Sequence, residues 1–237
     1  MKIVKVKNYD ELSELAANML IERIEKVEKP VVGLATGSTP EGMYANLVKK
    51  YKAGEISFAN VVTFNLDEYA GLSKDDPMSY QYYMYQNLFK DVDIKSENIH
   101  IPNGLAEDLE KECEQYEVLI QQEGKIDVQI LGLGLNGHIG FNEPGTSFDS
   151  RTHVVELEES TRIANSRFFN SLDEVPKKAL TMGIGTIMEA KEIIFIVNGE
   201  KKADILRKVV HGEVTENVPA SILQRHPNIT LITDIDV

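Results

Sequence analysis

The chain has 237 residues, 42% hydrophobic, 7% aromatic and 27% charged, an ordinary globular make-up that excludes a disordered, collagenous or fibrous protein. Lys and Arg number 25 against 38 Asp and Glu, a net charge of −13 with no basic run, which excludes a general nucleic-acid or anionic-membrane surface. No stretch approaches the roughly 20 apolar residues of a membrane span and Met1-Lys2-Ile3-Val4-Lys5 has no leader pattern, so the expectation is a cytoplasmic protein with one core.

Asp10 can cap a helix whose apolar positions Leu12, Leu15, Ala16, Met19, Leu20 and Ile24 follow the i, i+3, i+4 rule. Pro30–Ala35 reads as a buried strand, followed by the loop Thr36-Gly37-Ser38-Thr39-Pro40 and a helix through Met43, Leu47 and Val48. The unit recurs. Val61–Phe64 leads to a helix near Ser79–Phe89, and an acidic helix near Ala106–Gln122 leads into the strand Val128–Leu131. Later strands are expected at Thr152–Leu157, Ala179–Met182, Ile193–Val197 and Ile229–Ile232, with helices near Ser160–Asn170, Lys201–His211 and Pro219–Gln224. Strands alternating with helices imply an α/β fold, a mostly parallel sheet with helices on both faces in a Rossmann-like open sandwich. Ligands in such sheets sit beyond the carboxyl ends of the strands, so the residues after each strand carry the search.

Thr36-Gly37-Ser38-Thr39-Pro40 opens a helix, where unpaired N–H groups and the dipole favour an anion; a capped turn with Pro near the helix start and no ligand reads the same way locally. Asp67 and Glu68, just past Val61–Phe64, cannot both face one way if the chain stays extended, so one can serve as a base while the other makes a structural contact or is solvated. Gly132-Leu133-Gly134-Leu135-Asn136-Gly137 matches the dinucleotide pattern, with Glu156 near the ribose-acid spacing. The chain then runs into His138-Ile139-Gly140-Phe141-Asn142-Glu143-Pro144-Gly145, where Gly and Pro replace the helix that pattern needs. His138 and Glu143 form an ionisable pair able to move protons near neutral pH, or a structural loop pair. Lys201 and Lys202 in the first turn of a helix hint at a bound anion, and Arg167 can clamp a phosphate or pack its stem on Phe168. His100, His153, His211 and His226 lack metal-ligand spacing, and no metal is assigned. Cys113, the single cysteine, shares a helical face with Leu109, Tyr116 and Ile120 and reads as buried filler.

Four segments taken together, Thr36–Pro40, Phe64–Tyr69, Asn136–Pro144 and Ala164–Phe169, resemble the glucosamine-6-phosphate deaminase family across nearly the whole chain. The resemblance implies a single catalytic domain over 1–237 with a mobile lid around 151–175, no cofactor, and conversion of glucosamine-6-phosphate and water to fructose-6-phosphate and ammonium in amino sugar catabolism. It implies that His138, assisted by Glu143 and Asn136, opens the pyranose ring, that Asp67 shuttles a proton from C2 to C1, and that Thr36, Gly37, Ser38, Thr39, Arg167 and Lys202 hold the phosphate. Two positions depart from the allosteric, hexameric members of that family. Asn136 stands where they carry Asp, so it cannot balance an imidazolium charge. Ser150-Arg151-Thr152 is followed by His153 and Val155 rather than their activator-binding Arg and Lys, and the longer tail is missing. The expectation is a monomer without cooperativity, with no nucleic-acid or membrane partner. The rivals are a 6-phosphogluconolactone hydrolase on the same fold, a sugar-sensing regulatory domain, which would need a basic DNA-binding module, and last a nicotinamide enzyme.

Overall fold

The computed structural model describes residues 1–157, 159, 162, 163, 166, 169 and 171–237. Ten strands are described: β1 Lys2–Lys5, β2 Val31–Leu34, β3 Val62–Asn65, β4 Asp67–Tyr69, β5 Ile99–His100, β6 Val128–Leu131, β7 His153–Glu156, β8 Lys178–Thr181, β9 Glu192–Val197 and β10 Ile229–Thr233. Seven of them form one sheet in the order β1-β10-β9-β6-β2-β3-β5, and every neighbouring pair is parallel. The apolar runs of β2, β6 and β10 are buried at every position, as a sheet covered on both faces requires. From β2 the chain builds outward through β3 to β5, then returns to place β6 on the other side of β2. The order therefore reverses between β2 and β6, and their outgoing loops part to leave a crevice.

Helix α1, Tyr9–Ile24, buries Leu12, Ala16, Ala17, Leu20 and Ile24, and each leucine so buried stabilises the fold by about 1.5–3 kcal/mol. It begins one residue before the expected cap: Asn8, not Asp10, has extended backbone and accepts from the Glu11 N–H, while Asp10 sits in the first turn. Helix α2 is Ser38–Lys52 and α3 is Tyr80–Asn87. Helix α4, Leu109–Gln122, starts only at its cap Asp108 and buries Cys113 beside Tyr116 and Ile120. A short helix α5, Ile184–Met188, follows β8. Lys201 and Lys202 lie in a 3₁₀ turn, Glu200–Lys202, ahead of α6, Ala203–His211, and the segment Pro219–Arg225 is 3₁₀ rather than α.

The strands expected at Thr152–Leu157 and Ala179–Met182 leave the parallel sheet. They are β7 and β8 of a small antiparallel sheet ordered β4-β8-β7. Strand β4 was hidden in what reads as a loop after β3; it sets Asp67 opposite Thr181 and Glu68 opposite Leu180. The helix expected near Ser160–Asn170 and the lid expected around 151–175 fall in part on residues outside those described, Arg167 among them.

Between β8 and α5, Gly183 lies so close to the preceding segment that a Cβ would collide with the backbone carbonyls of Ser150 and Arg151. Neither carbonyl can swing away as a side chain would. Gly183→Ala is therefore expected to lower stability by about 1–3 kcal/mol, read as a lower urea midpoint with an unchanged slope; an unchanged midpoint would contradict this packing.

Candidate active site

The four central strands β9, β6, β2 and β3 send their carboxyl ends toward one cleft of about 460 Å³. From β2 comes the loop 35–39; from β3, Leu66 and Asp67; from β6, the glycine-rich loop with Asn136 and His138; and from beyond β9, Lys202. Thr36, Gly37, Ser38, Thr39, Asp67, Asn136, His138 and Lys202, all singled out in the sequence, border this one space. Arg167 lies outside the described residues. Lys201 is exposed, whereas Lys202 is half-buried.

Asp67 is 6% exposed, and its pKa is pushed up to about 8, first by burial and then by the neighbouring charge of Glu68. The two carboxylates are divided as extended backbone demands. Glu68 turns away from the cleft and accepts hydrogen bonds from the N–H groups of Tyr69, Tyr80 and Gln81 at 2.8, 3.0 and 2.9 Å. Two of those donors open α3, so Glu68 satisfies helix-terminal N–H groups beside the Ser79 cap, which takes the Tyr82 N–H. Tyr80, from the same turn, borders the cleft and stacks on Phe141 with ring centroids 6.0 Å apart. This aromatic wall is part of what keeps water from Asp67.

The loop 132–143 is shaped around His138. A Cβ on Gly134 would collide with three atoms of the imidazole ring, Nε2, Cε1 and Cδ2, and Gly137 turns with a φ of 90°. Of the glycines of the apparent dinucleotide pattern, Gly134 thus makes room for a histidine rather than for a pyrophosphate, and Glu156 is exposed on the edge of the small sheet. Nδ1 of His138 lies 3.4 Å from Oε1 of Glu143, close enough for an ion pair when the ring is protonated but without a hydrogen bond's alignment. Glu143 is buried, and its other oxygen accepts from Nδ2 of Asn136 at 2.5 Å. Asn136 also accepts from the backbone N–H of His138 at 3.1 Å. It holds the carboxylate and the backbone of the pair rather than the imidazole itself.

Two buried polar residues that sequence reasoning passed over lock this loop to β8. Thr181 Oγ1 accepts from the Phe141 N–H at 3.0 Å, and Asn142 Nδ2 donates to the carbonyls of Ile139 and Met182, each at 2.8 Å. Asn142 stood in the quoted motif, and a buried amide there was the available signal; Thr181 offered none, because its partner lies 40 residues away.

The family described as glucosamine-6-phosphate isomerases/6-phosphogluconolactonase matches residues 6–232. The chain belongs to that family. A glucosamine-6-phosphate deaminase of Oceanobacillus iheyensis is 60% identical over 99% of this chain and 94% of its own length. One from Thermoanaerobacter pseudethanolicus is 54% identical over 99% and 92%. The solved structure of a monomeric glucosamine-6-phosphate deaminase superimposes with a TM-score of 0.96 at 51% identity, covering 98% of this chain and 97% of that one. A 6-phosphogluconolactonase of Thermotoga maritima shares the fold, with a TM-score of 0.75 at 22% identity over 98% of this chain and 96% of its own.

The raised pKa of Asp67 makes a stability prediction. Folded Asp67 keeps its proton up to about pH 8, whereas an unfolded aspartate releases it near 3.8, so between these values the native state binds more protons and stability falls as pH rises. Asp67→Asn removes that cost. The variant should melt above the wild type, by little at pH 4.5 and by most at pH 8.5; a gap independent of pH would contradict the raised pKa.

Proposed function

We infer that the protein converts glucosamine-6-phosphate and water to fructose-6-phosphate and ammonium, as a monomer, in amino sugar catabolism. The single observation that carries this reading is a buried carboxylate, Asp67, set in one cleft with His138, which Glu143 backs from outside the cleft wall, and with the N-terminus of α2, in a chain 60% identical to a deaminase of that name. A small phosphorylated substrate and a described chain in which no helix is long and apolar enough to cross a membrane support a cytoplasmic place of work.

Each group has a task suited to its surroundings. The N–H groups of Gly37, Ser38 and Thr39 hold the phosphate with Thr36, Lys202 and Arg167, supplying local positive potential in a chain of net charge −13. His138 moves a proton between the anomeric hydroxyl and the ring oxygen, and Glu143, oriented by Asn136, steadies the imidazolium that forms. In the open chain Asp67 removes the C2 proton while a proton of the ammonium group passes to the C1 oxygen, giving an enolamine, and Asp67 then returns its proton to C1. The C2 enolamine thereby becomes a C2 imine, which water hydrolyses to the ketone with loss of ammonia. Asp67 must be ionised to begin, and the positively charged amine of the entering sugar lowers its pKa from about 8. No step calls for a redox cofactor or a metal.

The lactone-hydrolase reading has the shared fold in its favour but no use for a proton shuttle at Asp67, and its structural neighbour is only 22% identical. The expectation of kinetics without cooperativity is supported by His153 and Val155, which stand where the allosteric members carry their activator-binding Arg and Lys.

Purified protein without added metal or nicotinamide should release one ammonium per fructose-6-phosphate formed, and Asp67→Asn should lower kcat by about 10²–10⁴. Turnover undiminished in the variant would remove Asp67 from the mechanism. Sugar-phosphate binding without turnover in the wild type would overturn the reaction.

A further inference from the structure

Helix α2 starts without a conventional cap. Gly37, with a φ of 102°, occupies the cap position, and among the described residues no side chain is seen to accept from the N–H groups of Ser38 and Thr39. Three carbonyls of this stretch, by contrast, are tied by tyrosine hydroxyls. Tyr44 donates to the Ala35 carbonyl at 2.5 Å, Tyr83 to that of Gly37 at 2.7 Å and Tyr9 to that of Ser38 at 2.8 Å. The three hydroxyls come from α2, α3 and α1, and they converge on a single loop.

A trans peptide is planar, with its C=O and the next residue's N–H pointing in opposite directions. Anchoring the Ala35, Gly37 and Ser38 carbonyls therefore fixes the N–H groups of Thr36, Ser38 and Thr39, residues that border the cleft. The Gly37–Ser38 peptide has most need of an anchor, because glycine resists a flip least. Flipped, it would aim a carbonyl oxygen at whatever anion the loop holds. Tyr9 goes further: its hydroxyl also accepts from the Gly42 N–H at 2.8 Å, bridging two groups that an i to i+4 helix bond would join. Gly42, a weak helix former, leaves the space for this, since a Cβ there would meet Ser13 and lie 3.0 Å from the Tyr9 hydroxyl.

We infer that Tyr83 and Tyr9 are positioning residues for substrate recognition, tethering the Gly37 and Ser38 carbonyls so that the following N–H groups stay aimed at the phosphate. The inference rests on the reading of this loop as the phosphate site. Tyr44 shares the geometry but is wholly buried in the core, so the two less buried tyrosines are the ones to test.

Tyr83→Phe and Tyr9→Phe each delete one hydroxyl and keep the ring. A net hydrogen bond is worth about five- to ten-fold in an equilibrium constant, so in each variant the KM for glucosamine-6-phosphate and the inhibition constant of inorganic phosphate should rise together by about that factor. The loss should fall on KM rather than kcat. Inhibition by unphosphorylated glucosamine should stay as in the wild type, and Tyr85→Phe, on the exposed side of α3, serves as the control. Phosphate inhibition unchanged in both variants, or a parallel weakening of glucosamine and phosphate that signals general loosening, would overturn the proposal. Failure of inorganic phosphate to compete in the wild type would overturn the phosphate site itself. If Tyr83→Phe does not fold, Tyr9→Phe decides.

Discussion

The antiparallel pairing of β4 with β8 is the contact on which the geometry of the cleft depends. It sets Asp67 opposite Thr181, whose hydroxyl in turn receives the backbone N–H of Phe141, while Asn142 grips the Met182 carbonyl one residue further on. Asp67 and the loop bearing His138 and Glu143 are thus referenced to the same two residues. Without β8 these groups would hang on separate loops from β3 and β6, strands that are not neighbours in the parallel sheet. The small sheet is a minor appendage in the topology, yet it holds Asp67 and the loop of His138 in one arrangement.

Burial on this scaffold has opposite consequences for two adjacent acids. Glu68 recovers its desolvation cost in part through three backbone N–H groups and braces α3. For Asp67, burial and the Glu68 charge both favour the protonated form. The same brace places Tyr80 at the cleft and Tyr83 on the Gly37 carbonyl. One short helix therefore joins the Asp67 end of the cleft to the loop 35–39 at its other end. Negative charge dominates the chain as a whole, and at the cleft the peptide dipoles opening α2 and the charge of Lys202 oppose it.

Much of this was legible in the sequence because it is local. The apolar runs at Val31–Leu34, Val128–Leu131 and Ile193–Val197 announce buried parallel strands, and the polar residues that follow them mark the cleft. Strand β1 was illegible: Lys2-Ile3-Val4-Lys5 is a largely exposed edge strand whose partner, β10, begins at Ile229. Strand β4 was too short to show a period, and the antiparallel direction of β7 and β8 depends on a contact with it. In the site, the opposed directions of Asp67 and Glu68 follow from extended backbone, but which acid faces inward does not. The tyrosine tethers come from three helices and leave no trace in spacing.

The central claim is that one shielded carboxylate carries a proton from C2 to C1. The direct measurement is turnover of glucosamine-6-phosphate deuterated at C2, with the fructose-6-phosphate examined by NMR for deuterium at C1. With Asp67 only 6% exposed, part of the label should arrive at a single C1 position. Complete loss of the label to water, with solvent hydrogen entering C1 on either face, would contradict the account.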